Sequence, residues 1–542
     1  MRSAVPRRLA SIAFLAFFAL AACEEQADAP GVEAPPEVPE VRGPNWPTCD
    51  PDTVFDPGPT LPRRLTAFEY ANTVRDLLGP ADDDLTAGFP PEEEMLGFDN
   101  NARALSATPL HTEQYMSAAE RLADQVIARL GELAPCPAEV KPERECAATF
   151  IADFGRRAWR RPLTTQERGR LLALYDRGAA FIGSPFENGL AMVVEALLQS
   201  PNFLYRIEVG EPVEGRDDDL RRLTDYEIAS RLSYLVWRSM PDEPLFAAAE
   251  AGALRTAEQI EAQADRLLAD PRARDAFWTF FAQWLHLDEV DRLVRDTSYY
   301  PGFDDFQRTR MAEEARTFVE DAAWGGSLRT LFDGVFTVPG ETPGLDRRVG
   351  ILTQPALLAV TSKPNMTSPV HRGVFVREQL LCTALPPPPP NLMVVPPNPD
   401  PTQTTRQQFI EHSANPVCAG CHALIDPLGL GFENYDAVGA WRETQNGWPI
   451  DATGEVTGTY DADGAFTGVV ELSRRLAESQ QVHRCLTTQL FRYAYGRGES
   501  DVDACALDAL YRAYMDADYN FGAMVRALVV DDSFRYRRGE PE

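Results

Sequence analysis

After its first 22 residues the chain has no apolar run long enough to cross a membrane, which excludes a later transmembrane helix. Sustained period-two alternation is also missing, so a large half-buried sheet is not expected. No nucleophile elbow, phosphate loop or zincin helix occurs, and the chemistries those motifs carry lose their signatures. Glu313 and Glu314 are adjacent, so on a helix they diverge and share no proton-transfer task easily. Basic residues are outnumbered, 52 against 82, for a formal charge of −30. Such a surface repels nucleic acid, which is not expected as a partner. Cys-x-x-Cys occurs once, so no second pair completes a finger-type zinc site. At 542 residues the chain is long enough for several domains.

What is present begins at the N-terminus. Arg2, Arg7 and Arg8 precede an apolar stretch from Leu9 to Ala22, the layout of an export signal. The stretch ends Leu20-Ala21-Ala22-Cys23, which resembles the bacterial lipoprotein box, where Cys23 becomes the lipidated first residue of the mature chain; an ordinary secretory signal is the alternative. Each buried methylene of an acyl anchor contributes roughly 0.8 kcal/mol, so several chains on one cysteine hold a protein at a membrane without a spanning helix. Residues 1–22 therefore read as a signal, and 23–60, acidic and proline-rich, as a disordered tether. The expected place is the periplasmic or outer-membrane surface, with the membrane as a partner through the anchor.

The sequence NPVCAGCHALIDPLGLGFENYDAVGAWR holds Cys418, Cys421 and His422 in the order Cys-x-x-Cys-His. Nine Cys and six His placed at random give about 0.002 such pentapeptides, so chance is a poor account. Covalent haem needs two thiols spaced for its two vinyl groups and an imidazole directly after them for the iron, which this order supplies. A structural metal, a disulfide or a redox dithiol are the alternatives, although no βαβ pattern accompanies the pair. On the haem reading one haem c is bound, with His422 as the proximal ligand to iron. The sixth position is open between His371, a methionine (Met366, Met393, Met515 or Met524) and no protein ligand, with His483 beside an expected disulfide. Arg372 and Arg442 are candidates for pairing with haem propionates, salt bridges being the plainer reading, and Phe432 and Tyr435 for packing on the ring. Six cysteines remain after Cys23 is assigned to lipid and Cys418 and Cys421 to haem. In an oxidising compartment they allow three disulfides, and short loops favour Cys136 with Cys146 and Cys485 with Cys505.

Around the motif the sequence reads as helices. RRLTAFEYANTVRDLLG, RRPLTTQERGRLLALYD and RRLTDYEIASRLSYLVW each carry Thr-x-x-Glu, and TAEQIEAQADRLLAD carries Thr-x-x-Gln. These are capping boxes: the Thr hydroxyl accepts the N3 amide and the acid or amide reaches back to the Thr amide. Four helix starts follow, at Thr66, Thr164, Thr224 and Thr256, with the preceding arginines expected to pair with local acids. ALPPPPPNLMVVPPNPDP reads as an extended strap before the motif, and WPIDATGEVTGTYDADGAFTG as turns with short strands, where Asp461 and Asp463 form a polar turn in preference to a calcium loop.

Taken in order, these segments resemble planctomycete cytochrome-like proteins built from domains of unknown function 1587, 1595, 1592, 1588 and 1585. RRLTAFEYANTVRDLLG with GFDNNARALS resembles the first, FGRRAWRRPLTTQE the second, and LTDYEIASRLSYLVWRSMPD through FFAQWLHL the third. TSPVHRGVFVREQLLC, the strap and the Cys-x-x-Cys-His segment resemble the fourth, and VELSRRLAESQQVHRCLTTQLFRYAYGR the fifth. The resemblance implies domains at 61–135, 136–215, 216–345, 346–445 and 446–542, and an exported, cytochrome-c-like protein whose reaction it leaves open. The expected fold is mainly α: a multi-helix body with a C-terminal cytochrome-c-like α domain and a short β-hairpin insertion. The leading expectation is electron transfer with a redox protein partner. A peroxidase-like haem oxidoreductase and a haem-free binding or scaffold lipoprotein are the rivals.

Overall fold

The computed structural model describes residues 46, 48–50, 55–80, 85–133, 143–216, 219–338, 347–385, 400–413 and 416–539. The signal, most of the tether, Cys23, Cys136, Met393 and the proline strap lie outside them.

The chain is mainly helical, with small, separate antiparallel strand pairs. All four expected capping boxes form. Thr66, Thr164, Thr224 and Thr256 each accept the N3 amide while Glu69, Glu167, Glu227 and Gln259 bond back. Each cap contributes about 1 kcal/mol by satisfying amides that the first helical turn leaves without partners. The preceding arginines divide their work. Arg161 pairs with the capping acid Glu167, Arg64 reaches Glu92, and Arg160 donates to the carbonyls of Asn202, Phe203 and Tyr205.

Two compact units emerge, interleaved along the sequence. The first comprises Leu285–Phe318 and Arg329–Cys485; the second comprises Trp46–Trp284, Val319–Leu328 and the chain from Leu486 onward. In the second unit, helices Pro109–Ala128, Glu143–Ala158, Thr165–Gly178 and Pro185–Leu198 bury Leu122, Phe150, Tyr175, Val194 and their neighbours in one apolar core. Two-residue strands pin distant segments together, Arg63–Arg64 against Tyr205–Arg206 and Arg221–Arg222 against Tyr536–Arg537. In the first unit, helices Pro369–Phe375 and Pro416–Leu430 pack along each other, and the hairpin Thr453–Val456 with Gly464–Thr467 lies on the second of them. Asp463 accepts from the Gly458 and Thr459 amides and Asp461 from Gln480, so both carboxylates serve turns and caps.

The expected Cys485–Cys505 disulfide is overturned. Cys485 bonds Cys382 inside the first unit, and Cys505 bonds Cys49 inside the second. The reason is the helix Gln480–Tyr495, which carries the chain about 15 Å beyond Cys485 before it can turn. Loop length alone ignores that rod. Cys146 is disulfide-bonded, while its expected partner Cys136 lies outside the described residues.

Candidate functional site

The Cys-x-x-Cys-His segment opens a helix. Pro416 is the first residue of Pro416–Leu430, where its missing N–H costs nothing, and Cys418 stands in the first turn, its side chain outside the described part. Spacings of three and four place Cys418, Cys421, His422 and Ile425 on one helical face. Cys421 is half-buried, and burial pushes its thiol pKa up. Beside it Val370, Phe409 and Ile425 form a small apolar cluster, with Val374 and Leu385 packed against them. Pro427 lies inside the helix and offers no amide to the Ala423 carbonyl four residues earlier, so the i→i−4 ladder is interrupted beside the motif.

His422 is buried, and its Nδ1 lies 2.9 Å from Asp426 Oδ1, one turn further along. An ionised carboxylate only accepts hydrogen bonds, so it calls for the proton on Nδ1 and leaves the lone pair on Nε2. Asp426 is itself buried. The signal the sequence offers for Asp426 is its four-residue step from His422.

Close backbone approach holds this helix in place. A Cβ on Gly429 would stand 1.7 Å from the carbonyl oxygen of Pro369, and one on Gly373 2.2 Å from that of Ile425. On the hairpin, a Cβ on Gly454 would stand 2.2 Å from the Pro427 carbonyl oxygen. Val370, Gly373, Val374 and Arg377 thus face the motif helix, where Arg377 Nε donates to the Leu424 carbonyl at 3.1 Å. His371 sits about 100° round from Val370 on its helix. It is half-buried, and burial together with Lys363 pushes its pKa down to about 4.

The two arginines weighed for propionates both meet Glu433. Arg372 is fully buried, 3.6 Å from the Glu433 carboxylate, and donates to the carbonyls of Phe432, Tyr435, Asp436 and Leu358. Arg442 donates to the Glu433 carboxylate at 2.8 Å and to its carbonyl at 2.9 Å. Phe432 and Tyr435 are buried; Tyr435 meets Trp441 edge-on and its hydroxyl donates to the Arg347 carbonyl. These contacts account for all four residues as the brace of the turn after the motif helix.

Of the other ligand candidates, Met366 is buried in the same unit as the motif, whereas Met515 and Met524 belong to helices of the second unit. His483 is 1% exposed, donates from Nε2 to the Ala477 carbonyl at 2.9 Å and meets Phe332 edge-on. Burial pushes its pKa down to about 4. The unfolded imidazole takes up a proton near pH 6.5 and the folded one does not, so its contribution is complete above that pH and is lost as pH falls toward 4. At about 1.4 kcal/mol per pH unit the loss reaches about 3 kcal/mol across that window. Denaturation midpoints of the wild type and His483→Gln between pH 7 and 4 check this: the variant is expected to show the shallower slope.

No helix among the described residues is long and apolar enough to cross a membrane, and the disulfides are compatible with an exported protein. No curated protein and no solved structure matches the chain. Five family models match in sequence order, each described as a protein of unknown function: DUF1587 over 63–128, DUF1595 over 146–208, DUF1592 over 223–342, DUF1588 over 348–445 and DUF1585 over 463–534. The Cys-x-x-Cys-His helix, its apolar wall and the Glu433 brace all fall inside the DUF1588 segment. With all five domains present in the expected order, the chain belongs to the planctomycete cytochrome-like multidomain family.

Proposed function

We propose that this chain is an exported c-type cytochrome-like protein that carries one covalent haem and transfers electrons, anchored to a membrane through lipid on Cys23. The observation that carries the reading is the helix at Pro416–Leu430, which sets the motif's residues on one face with the His422 ring steadied by Asp426. The residues fit the group. Cys418 and Cys421 would hold the group as thioethers, each S–H adding across one vinyl double bond to give a C–S and a C–H bond with no net oxidation. His422 offers Nε2 to the iron, and Val370, Val374, Phe409 and Ile425 supply apolar surface beside the Cys421 thiol. Bound there, haem c supplies one-electron chemistry between ferric and ferrous iron.

A second reading, a haem-dependent oxidoreductase of peroxidase-like type, is favoured by one feature, the carboxylate on the proximal imidazole. A haem-free structural metal site would have to draw on side chains beyond the described ones, since among those no group of three His, Cys, Asp or Glu is placed to hold an ion.

The test is a pyridine haemochrome spectrum of the mature chain, made with cytochrome c maturation machinery, beside a Cys418→Ser, Cys421→Ser double variant. A c-type band in the wild type that vanishes in the variant is expected. No band, under conditions that mature a reference cytochrome, would sink both redox readings and leave the scaffold. Ferric and ferrous spectra of the wild type then separate a six-coordinate iron, as electron transfer favours, from an open one.

A further inference from the structure

We infer that Asp426 is a positioning residue for His422, one that selects the ligating nitrogen and lowers the reduction potential of the iron bound to it. The inference deepens the haem reading and rests on it.

The geometry supplies the first half. The Asp426 carboxylate and the His422 ring are one helical turn apart, on a helix clamped by Gly373 and Gly429 on one side and by Gly454 on the other. Neither side chain has much room to leave the other, because both are nine-tenths buried or more. With the proton drawn to Nδ1, Nε2 keeps its lone pair and points away from the carboxylate across the ring. A metal-ligating histidine needs this: the partner of one nitrogen decides which nitrogen meets the metal.

The second half follows from charge. A neutral partner such as a backbone carbonyl orients the ring and does little else. A buried carboxylate brings a negative charge to the far side of the imidazole, where low dielectric makes it felt. It pulls the Nδ1 proton toward itself and makes Nε2 a stronger donor. A stronger donor favours the more highly charged ferric iron, and hydrogen bonding behind the axial ligand is one of the levers by which proteins set haem potential. The expected site is one whose iron rests ferric and gives electrons readily. A peroxide-type reaction at an open iron and donation to a partner of higher potential both draw on that property.

The experiment uses the full mature chain loaded with haem, as wild type, Asp426→Asn, Asp426→Ala and Asp426→Glu. Haem per chain is counted by pyridine haemochrome, and midpoint potentials are read by spectroelectrochemical titration. The asparagine variant keeps a hydrogen-bond acceptor and loses the charge; its midpoint is expected to move positive with haem content unchanged. The alanine variant moves further, and glutamate returns part of the way. A merely structural Asp426 would change haem content or stability and leave the midpoint of the loaded fraction where it was, and that result overturns the inference while the haem reading stands. A wild type without haem overturns both.

Should the variants fail to load, the haem-free wild type decides. With six histidines in the chain, histidine-selective ¹⁵N spectra, assigned by His422→Gln, report which ring nitrogen of His422 is protonated. The proton is expected on Nδ1; a proton on Nε2 overturns the inference.

Discussion

Replacing Gly429 by alanine is expected to cost about 3 kcal/mol or more, far above the usual effect of one added methyl group. The added Cβ would lie 1.7 Å from the Pro369 carbonyl oxygen, 2.4 Å from its carbonyl carbon and 2.7 Å from its Cα. All three are backbone atoms of a neighbouring helix, so no side chain can rotate aside; the helices must separate. Separation lifts Ile425 from Val370 and Val374 and strains the turn that Arg372 braces. Against this, alanine improves helix propensity by about 1 kcal/mol, which is too little to offset the clash. A control carries the opposite sign. Gly169 lies within the helix Thr165–Gly178 with nothing within 4 Å of its would-be Cβ, so Gly169→Ala is expected to stabilise by up to about 1 kcal/mol. Chemical denaturation of the three proteins checks both signs, and haem content of Gly429→Ala shows whether the helix pair is needed to present the motif. A loss at Gly429 no larger than 1 kcal/mol would show that the crossing relaxes.

Gly429 also marks where reading the sequence stopped. A glycine three residues past His-x-x-x-Asp looks like any glycine near a helix end; its reason is the carbonyl of Pro369, sixty residues earlier. The capping boxes were legible because both partners lie within three residues and the chemistry is complete in the local string: Thr66, Thr164, Thr224 and Thr256 all do what their spacing says. The hairpin was legible for the same reason, its Gly, Asp and Thr marking turns between short strands. The Cys382–Cys485 and Cys49–Cys505 bridges were not, since each depends on where whole helices lie. His422 with Asp426 falls between these cases. The pair was local enough to read, but a histidine and an aspartate four apart also meet on exposed helix faces, and only burial separates the two uses.

The site that results is asymmetric in kind. On one side of the motif helix stand apolar residues and the half-buried Cys421 thiol; behind His422 stands a carboxylate; and beyond the helix end comes a turn tied by guanidinium groups. An arrangement built only to insulate a haem needs the first. The second and third spend buried polar groups, which proteins retain where orientation matters more than bulk stability. This division is why the charge behind His422 is the more informative target for function and the turn for stability.

Arg372 is the keystone of that turn, and Arg372→Met is expected to cost about 3–5 kcal/mol, the range for removing one partner of a buried, hydrogen-bonded ion pair. The guanidinium is fully buried and ties Phe432, Tyr435, Asp436 and Leu358 through their carbonyl oxygens, at 3.0–3.3 Å. Methionine fills much of the volume but offers no donor, so each of those acceptors loses one hydrogen bond away from water. Glu433 meanwhile keeps Arg442 and the Thr367 hydroxyl, each at 2.8 Å, and loses the charge of Arg372 at 3.6 Å. Arg372→Lys keeps a charge but replaces the planar five-donor fork with a point ammonium, so it is expected to recover less than half of the loss. Arg442→Met, at a half-buried guanidinium that solvent partly replaces, should cost distinctly less than Arg372→Met. Denaturation midpoints of the four chains order them as wild type, Arg442→Met, Arg372→Lys and Arg372→Met. If Arg372 instead served a haem propionate, its removal would move the spectrum or potential of the loaded protein and leave the haem-free chain as stable as before. Comparing the variants with and without haem therefore separates a brace from a ligand contact, and the carbonyls around Arg372 argue for the brace.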